Sequence, residues 1–163
     1  MFREMRRQRQ QLSAAETEAL LREGKSGVLG VVGDDGYPYT VPVNYVYEAG
    51  KLYFHCARAG HKLDAIRRCE KVSFCVVARD EVVSEELTTY FRSVIVFGRA
   101  RVLESDEEIF RAAERLGLKF NPDRARVEGA IRNEWRALCC VEITVEHATG
   151  KEAVELTRAR GKG

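Results

Sequence analysis

The sequence predicts a mainly β domain, a small antiparallel barrel with short helices at its margins. About six runs of strand length, apolar or alternating, are separated by turns of hairpin length. The helical patterns lie at the margins of these runs, which favours an antiparallel barrel over βαβ units. A chain of 163 residues suits one domain with a proper core.

The elements follow in order. The first ten residues are polar and basic and read as an extended arm. Ser13 and Glu16 form a capping box for a short helix through Leu21, which Gly24 stops. Val28 to Val32 (VLGVV) is a strand, and GDDG from Gly33 to Gly36 turns it into a second strand, Tyr37 to Tyr47. That strand carries Pro38 and Pro42, which cannot donate to a ladder and so belong at a strand start, an edge or a bulge. Glu48-Ala49-Gly50 closes a hairpin into Lys51 to Cys56. His61 to Cys69 is helical, with Leu63, Ile66 and Cys69 inward and Arg67 and Arg68 outward. Lys71 to Ala78 is a strand, Arg79 to Leu87 a charged loop, and Phe91 to Leu103 a long strand that Gly98 lets bend. Ser105 and Glu108 form a second capping box, ahead of an apolar stripe of Ile109, Phe110, Ala113 and Leu116. Asn121-Pro122 fits a cap with proline at the first position of a further helix. Ala137 to Val145 is the last strand, and the end from Thr157 to Gly163 reads as frayed.

Composition narrows the function classes. The formal net charge is +2, with an ordinary charged fraction, so neither disorder nor a nucleic-acid binder is indicated. The basic arm from Arg3 to Arg9 is the one feature that suggests nucleic acid, and acidic residues elsewhere nearly cancel it. No apolar run reaches the roughly 18 residues of a membrane span. The opening MFREMRRQRQQL lacks the apolar segment of a secretory signal, so a cytoplasmic protein is expected. Five cysteines, an odd number with Cys139 and Cys140 adjacent and no CxxC pair, fit reduced thiols better than a disulfide framework.

The chemistry concentrates between Tyr37 and Lys62. Lys62 follows Gly60 at a helix start, where free backbone N–H groups already favour an anion, and Arg58 reaches the same turn. This set suits a phosphate, although a solvated lysine at a helix start satisfies the same pattern. His55 shares a strand face with Tyr53, and it reads either as a hydrogen-bonded strand-end histidine or as a contact to a ligand ring or a substrate anion. His61 either touches the phosphate or caps the loop. The three histidines show no HxxxH spacing and no nearby carboxylate pair, so no metal is expected. Thr40 and Asn44 offer short hydrogen-bonding side chains beside Tyr39 and Tyr45, around Pro42 and Val43. Ser93 is polar at the start of an apolar strand, and Trp135 precedes the final strand, where an indole covers a pocket mouth or simply packs.

The order of these pieces resembles the flavin-binding split-barrel family, the pyridoxamine 5'-phosphate oxidase-like proteins, and within it the branch of nitroimidazole-resistance reductases. The resemblance spans about Ser13 to Lys151. It rests on the block from SGVLGVV to EKVSF, on YFRSVIVFGRARVLES and on the TGKEA ending. It implies a six-stranded antiparallel Greek-key split barrel of FMN-binding type over residues 13–151, with an arm at 1–12 and a tail at 152–163. It also implies a homodimer with FMN held at the subunit interface. Residue by residue, Thr40, Val41, Pro42, Val43, Asn44 and Tyr45 would line the isoalloxazine and ribityl chain. His55 and Cys56 would open the phosphate-side turn, and Lys62 would hold the phosphate, with Arg58 and His61 near it. Phe91, Arg92 and Ser93 would approach the flavin from a neighbouring strand, and Trp135 would cover it. His55 would be the catalytic histidine beside the flavin. The activity implied is FMN-dependent reduction of a small electron-poor substrate, such as a nitroaromatic, by a reduced nicotinamide. A flavin- or haem-binding protein with little turnover, a pyridoxamine 5'-phosphate oxidase-like enzyme and an F420-dependent enzyme are the alternatives that the same fold accommodates.

Overall fold

The computed structural model describes residues 1–161. Seven strands form one antiparallel sheet: β1 (Ser26–Val32), β2 (Pro38–Asn44), β3 (Val46–Glu48), β4 (Lys51–Ala57), β5 (Lys71–Val83), β6 (Thr88–Val102) and β7 (Leu138–Glu152). Five α-helices accompany them: α1 (Ala14–Glu23), α2 (His61–Arg68), α3 (Asp106–Phe120), α4 (Arg124–Glu134) and α5 (Val154–Arg160). The strand order is β2-β1-β5-β6-β7-β4-β3.

This order corrects the six-stranded split barrel on two counts. The strands number seven, because the run from Tyr37 to Tyr47 breaks at Tyr45 into β2 and β3. The sheet is also not closed, since β2 and β3 are its two edges and no ladder joins them. Both features have a local cause. Pro38 and Pro42 deprive β2 of two N–H donors, which suits an edge. Tyr45 is fully buried and turned out of the ladder: its N–H donates to the Lys25 carbonyl (3.3 Å) and its hydroxyl to the Leu21 carbonyl (2.7 Å).

The main core lies on the inner face of the curved sheet, where Leu29, Phe54, Phe74, Val94 and Ile143 pack with Leu21 of α1 and Leu63 and Ile66 of α2. A second core lies beneath α3 and α4, with Tyr53 and Cys140 from the sheet against Ile109, Val127 and Ile131. Both predicted serine caps are present. Ser13 and Glu16 make the full capping box, and the Ser105 hydroxyl accepts from the Glu108 N–H. The further helix begins later than expected: Asp123 caps α4 at Arg124, while the Asn121 side chain accepts from the Asp123 N–H.

Three other segments depart from the sequence reading. Only the end of the run from Arg79 to Leu87 is a turn, Ser84 to Leu87, for β5 runs on to Val83 and pairs with β6 through Val83 and Thr88. β7 extends past Val145 to Glu152, with a register shift against β6 between Phe97 and Gly98. The end read as frayed from Thr157 continues α5 to Arg160, and its last residues, Lys162 and Gly163, lie outside the described residues. No helix among the described residues is long and apolar enough to cross a membrane.

Glu142 of β7 fastens three elements. Its buried carboxylate accepts from Lys51 of β4 (3.0 Å) and Arg101 of β6 (2.9 Å), and Arg101 reaches on to Glu108 of α3 (2.7 Å). Burial disfavours the charge on Glu142, but the hydrogen bonds from Arg101, Lys51 and Tyr53 outweigh it and hold the carboxyl below its ordinary value of 4.5. The stability this group contributes is therefore fully present above about pH 4.5 and is lost as pH falls through the lowered value. Glu142→Gln is expected to cost about 2 kcal/mol at pH 7 and to make stability fall less steeply than in the parent between about pH 5 and 3. Urea unfolding across that range measures both, and parallel acid limbs would refute the assignment.

At Tyr45 the hydroxyl makes a buried hydrogen bond to the Leu21 carbonyl at the end of α1. Tyr45→Phe is expected to lower the unfolding free energy by about 1–2 kcal/mol, because the Leu21 carbonyl loses that donor while ring volume is kept. Equal urea midpoints for the two proteins would mean the bond contributes nothing.

Candidate functional site

β4 carries the chain from the second core to the candidate site. Tyr53 is buried beneath α3 and α4, and His55, two residues on and on the same face, is exposed. Cys56 points the other way, half-buried and directly opposite Cys139 of β7. Burial, with Cys139 beside it, pushes the Cys56 thiol up to about 11, against the pull of nearby Lys62. At neutral pH Cys56 is thus a protonated thiol that packs, and no thiolate nucleophile is available there.

The chain then turns through Arg58 to Gly60 and enters α2. Gly60 occupies the N-cap at φ 138°, and no side chain caps the helix. The N–H groups of His61 and Lys62 precede the first intrahelical bond, which Leu63 makes to the Gly60 carbonyl (3.0 Å). Among the described residues, neither Arg58 nor Lys62 has a carboxylate within ion-pair distance. Arg58 instead donates to the Trp135 carbonyl (3.2 Å), which ties the β4–α2 turn to the start of β7. His61 is held elsewhere: its ring stacks on Tyr39 (4.2 Å between centroids), and Nε2 lies 3.6 Å from Asp34 in the β1–β2 turn.

On β2, Thr40, Pro42 and Asn44 face outward while Val41 and Val43 pack into the main core. Asn44 donates to the Lys25 carbonyl (3.2 Å) and lines one cavity with His55. This cavity, about 760 Å³, lies between the end of β4 and the α3–α4 hairpin. Tyr45 is structural, with its ring beneath the Lys119 ammonium (4.5 Å) and edge-on to Phe74 (5.1 Å). The Trp135 ring leans on Phe110, 6.4 Å between centroids, at the rim of the second core.

Phe91, Arg92 and Ser93 sit at the opposite end of β6. Ser93 pairs with Lys151, whereas the His55 end of the sheet meets β6 near Val102, through Val141. The two sets are separated by roughly 30 Å along the strand. Arg92 is 3.3 Å from fully buried Glu152, which also receives Arg160 (2.6 Å) and the Thr157 hydroxyl (3.1 Å). The Lys151 ammonium lies over the Phe91 ring (5.3 Å). One chain therefore brings Asn44 and His55 to a common cavity and carries Arg58 and Lys62 on the turn that follows β4, but leaves Phe91 to Ser93 apart.

The outer face of the sheet connects these regions. One register row runs Pro42, Val28, Cys75, Ile95 and Thr149, and the next runs Thr40, Gly30, Ser73, Phe97 and His147. Neither row carries a carboxylate, a lysine or an arginine. Val28, Ile95 and Phe97 are 37–40% exposed, and Val77 farther along the same face is 58% exposed. Phe2 of the arm stacks on His147 (4.8 Å) and Phe97 (5.6 Å) at one margin. Sequence reading missed this face, since its signal appears only when outward residues of five strands are read across the register. It missed the α3–α4 wall of the cavity for a similar reason: alanines and glycines carry no chemical signature.

Comparison with known proteins adds to this geometry. A family model described as pyridoxamine 5'-phosphate oxidase matches residues 13–152. Among solved structures, the chain is similar to a proposed 5-nitroimidazole antibiotic resistance protein from Bacteroides thetaiotaomicron, at 21% identity over 87% of this chain and 86% of that one (TM-score 0.71). It is similar to a FAD-binding protein from Mesorhizobium loti, at 26% identity over 88% and 96% of the two chains (TM-score 0.61). A flavocytochrome from Azotobacter vinelandii matches at 19% identity over 92% of this chain and 72% of that one (TM-score 0.79). No curated protein matches.

Proposed function

The chain belongs to the pyridoxamine 5'-phosphate oxidase family, and from that premise we propose that it is an FMN-dependent oxidoreductase working as a homodimer. The observation that carries this reading is the β4–α2 turn. Lys62 and Arg58 stand there without carboxylate partners, beside the uncapped start of α2. A phosphate dianion needs such a combination of unneutralised cations and free N–H donors. The turn also has room, for a Cβ built on Gly60 meets no atom within 4 Å. Asn44 and His55, on the side of the turn toward the cavity, suit the ring end of the cofactor.

When bound, FMN supplies two-electron chemistry, accepting hydride from a reduced nicotinamide and delivering it to a small electron-poor acceptor such as a nitroaromatic. Lys62 and Arg58 would hold the phosphate, the outward side of β2 from Thr40 to Asn44 would line the cofactor, and His55 would serve the ring end. The likeness to a nitroimidazole-resistance protein favours the nitroaromatic acceptor. The likeness to a flavocytochrome makes haem the alternative, which His55, His61 or Cys56 would ligate.

An absorption spectrum of purified protein before and after FMN addition decides the cofactor, with flavin bands near roughly 370 and 450 nm expected and a single intense band near roughly 400 nm indicating haem. Lys62→Ala is expected to raise the FMN dissociation constant by about tenfold or more, because it removes a charge-assisted contact and no core volume. His55→Ala is expected to leave that constant within about twofold while slowing flavin reduction or reoxidation, as suits a group beside the ring. Unchanged affinity in folded Lys62→Ala would remove the phosphate site.

The second subunit supplies what one chain separates. An uncharged, half-exposed face across five strands is the kind of surface a second copy covers, and a second copy there would be the source of Phe91 to Ser93 for the site of the first. Sedimentation at micromolar concentration is expected to give a dimer, and Ile95→Glu at the centre of the face a folded monomer with weakened FMN binding. A monomeric parent protein would rule the shared site out.

A further inference from the structure

We infer that the cavity between His55 and the α3–α4 hairpin is the substrate pocket of the flavin reaction proposed above, and that it takes an uncharged, planar, largely apolar molecule in preference to a phosphate ester. The inference rests on that reading of the chain and adds to it where the second reactant sits and which chemistry the walls accept.

The pocket is a product of how the hairpin packs. Gly117 of α3 lies so close to α4 that a Cβ there would come within 2.4 Å of Val127, so the two helices touch at that point. Buried Ala113 of α3 and exposed Ala130 of α4 present methyl groups to the cavity where larger side chains would fill the space. The result is a cavity of about 760 Å³, within the ordinary range for a drug-sized ligand. Leu116, Phe120, Ile131 and Leu138 complete an apolar lining.

The polar groups are few and differ in kind. His55 enters from the end of β4 with an exposed ring that no side chain of the described residues holds by hydrogen bond. It is placed to donate to an acceptor oxygen on a bound molecule. Asn44 stands beside it, but its amide N–H is committed to Lys25. Arg126 and Glu134 lie on the same face of α4 at opposite ends of the opening, eight residues and so about 12 Å apart, and their charges cancel. A phosphate dianion entering this space would exchange its hydration for one guanidinium, Arg126, and the donors of His55 and Asn121, with the Glu134 carboxylate also on the lining. Arg58 and Lys62, the cations suited to phosphate, do not line the cavity. A planar molecule with one polar end toward His55 loses no such hydration and gains the apolar walls.

The pair 4-nitroanisole and 4-nitrophenyl phosphate differ chiefly in charge and test this directly. Amide chemical shifts of the purified, isotope-labelled protein are followed during titration with each. The expected result is that 4-nitroanisole moves the amides of His55, Ala113, Gly117 and Ala130, while 4-nitrophenyl phosphate binds there at least tenfold more weakly. Ala130→Trp, which fills the space from an exposed helix position, is expected to abolish the 4-nitroanisole shifts. If that variant fails to fold, Ala130→Leu serves with a smaller loss. Equal or tighter binding of the phosphate, shifts confined to another surface, or binding unchanged by a folded Ala130 variant would overturn the inference. So would displacement of 4-nitroanisole by FMN, which would make the cavity the seat of the cofactor. A parallel FMN titration separates the two readings. Probe binding in the cavity without FMN binding removes the flavin function and leaves an apolar ligand pocket, whereas FMN binding with no probe in the cavity removes only the present assignment.

Discussion

Tyr45 is the residue on which the arrangement turns. It stands where the chain leaves one edge of the sheet, β2, and starts the other, β3, and it holds that corner with four different atoms or surfaces. Its N–H goes to Lys25 and its hydroxyl to Leu21 at the end of α1, its carbonyl accepts from Lys119 of α3 (3.0 Å), and its ring lies edge-on to Phe74 of β5. The hydroxyl fits because residue 24 is glycine, for a Cβ there would lie 2.3 Å from the phenolic oxygen. Burial raises the phenol above its ordinary range and lowers the Lys119 ammonium below its own, so both groups are held in a dry environment by hydrogen bonds rather than by counter-charge. Without the corner, β2 would run on as one strand, and Asn44 would have no reason to lie beside His55.

Legibility in the sequence followed the range of the interactions. Both serine caps, the stop at Gly24 and the start of α2 after Gly60 depend on neighbours within a few residues, and each was readable. The corner was not, because Asn44-Tyr45-Val46-Tyr47 alternates like a strand and its partners are about 20 to 75 residues away. The charged run from Arg79 to Val83 misled for a different reason. Beyond Val77 the β5–β6 pair outruns the core, so its side chains need no apolar period, and the backbone ladder holds it together with polar contacts such as Arg79 over the Tyr90 ring (5.5 Å). At the site, Lys62, Arg58 and His55 stood out because their chemistry is visible in one residue. Gly117 and Ala130 did not, since a cavity is made by what is missing from facing helices.

The distribution of neutralised charge separates the candidate residues more sharply than their positions do. Arg92 faces Glu152, which is fully buried and shared with Arg160 and Thr157 of α5, so its charge is balanced within the fold, although Arg92 Nε and Glu152 Oε2 find no hydrogen-bond partner among the described residues. Removing Arg92 would strand part of a buried carboxylate, and its loss would register as instability before it registered in ligand binding. Lys62 and Arg58 are the reverse case, cations at a turn with no carboxylate to satisfy them among the described residues. Cations without a carboxylate partner beside free N–H donors suit a mobile anion, although Arg58 also holds the turn to the Trp135 carbonyl.

That contrast bears on where specificity resides. The phosphate-side turn is local, built by a few consecutive residues, and it would accept any phosphorylated cofactor of suitable reach. The apolar cavity is long-range, assembled from β4, α3 and α4, and small substitutions at Ala113, Gly117 or Ala130 would reshape it without touching the turn. On the reading proposed above, cofactor phosphate and substrate are recognised by separate elements, which meet at His55 and Asn44. A fold arranged in this way can change its substrate through the hairpin while its cofactor site stays fixed, which is the physical sense in which membership of a family leaves the substrate undetermined.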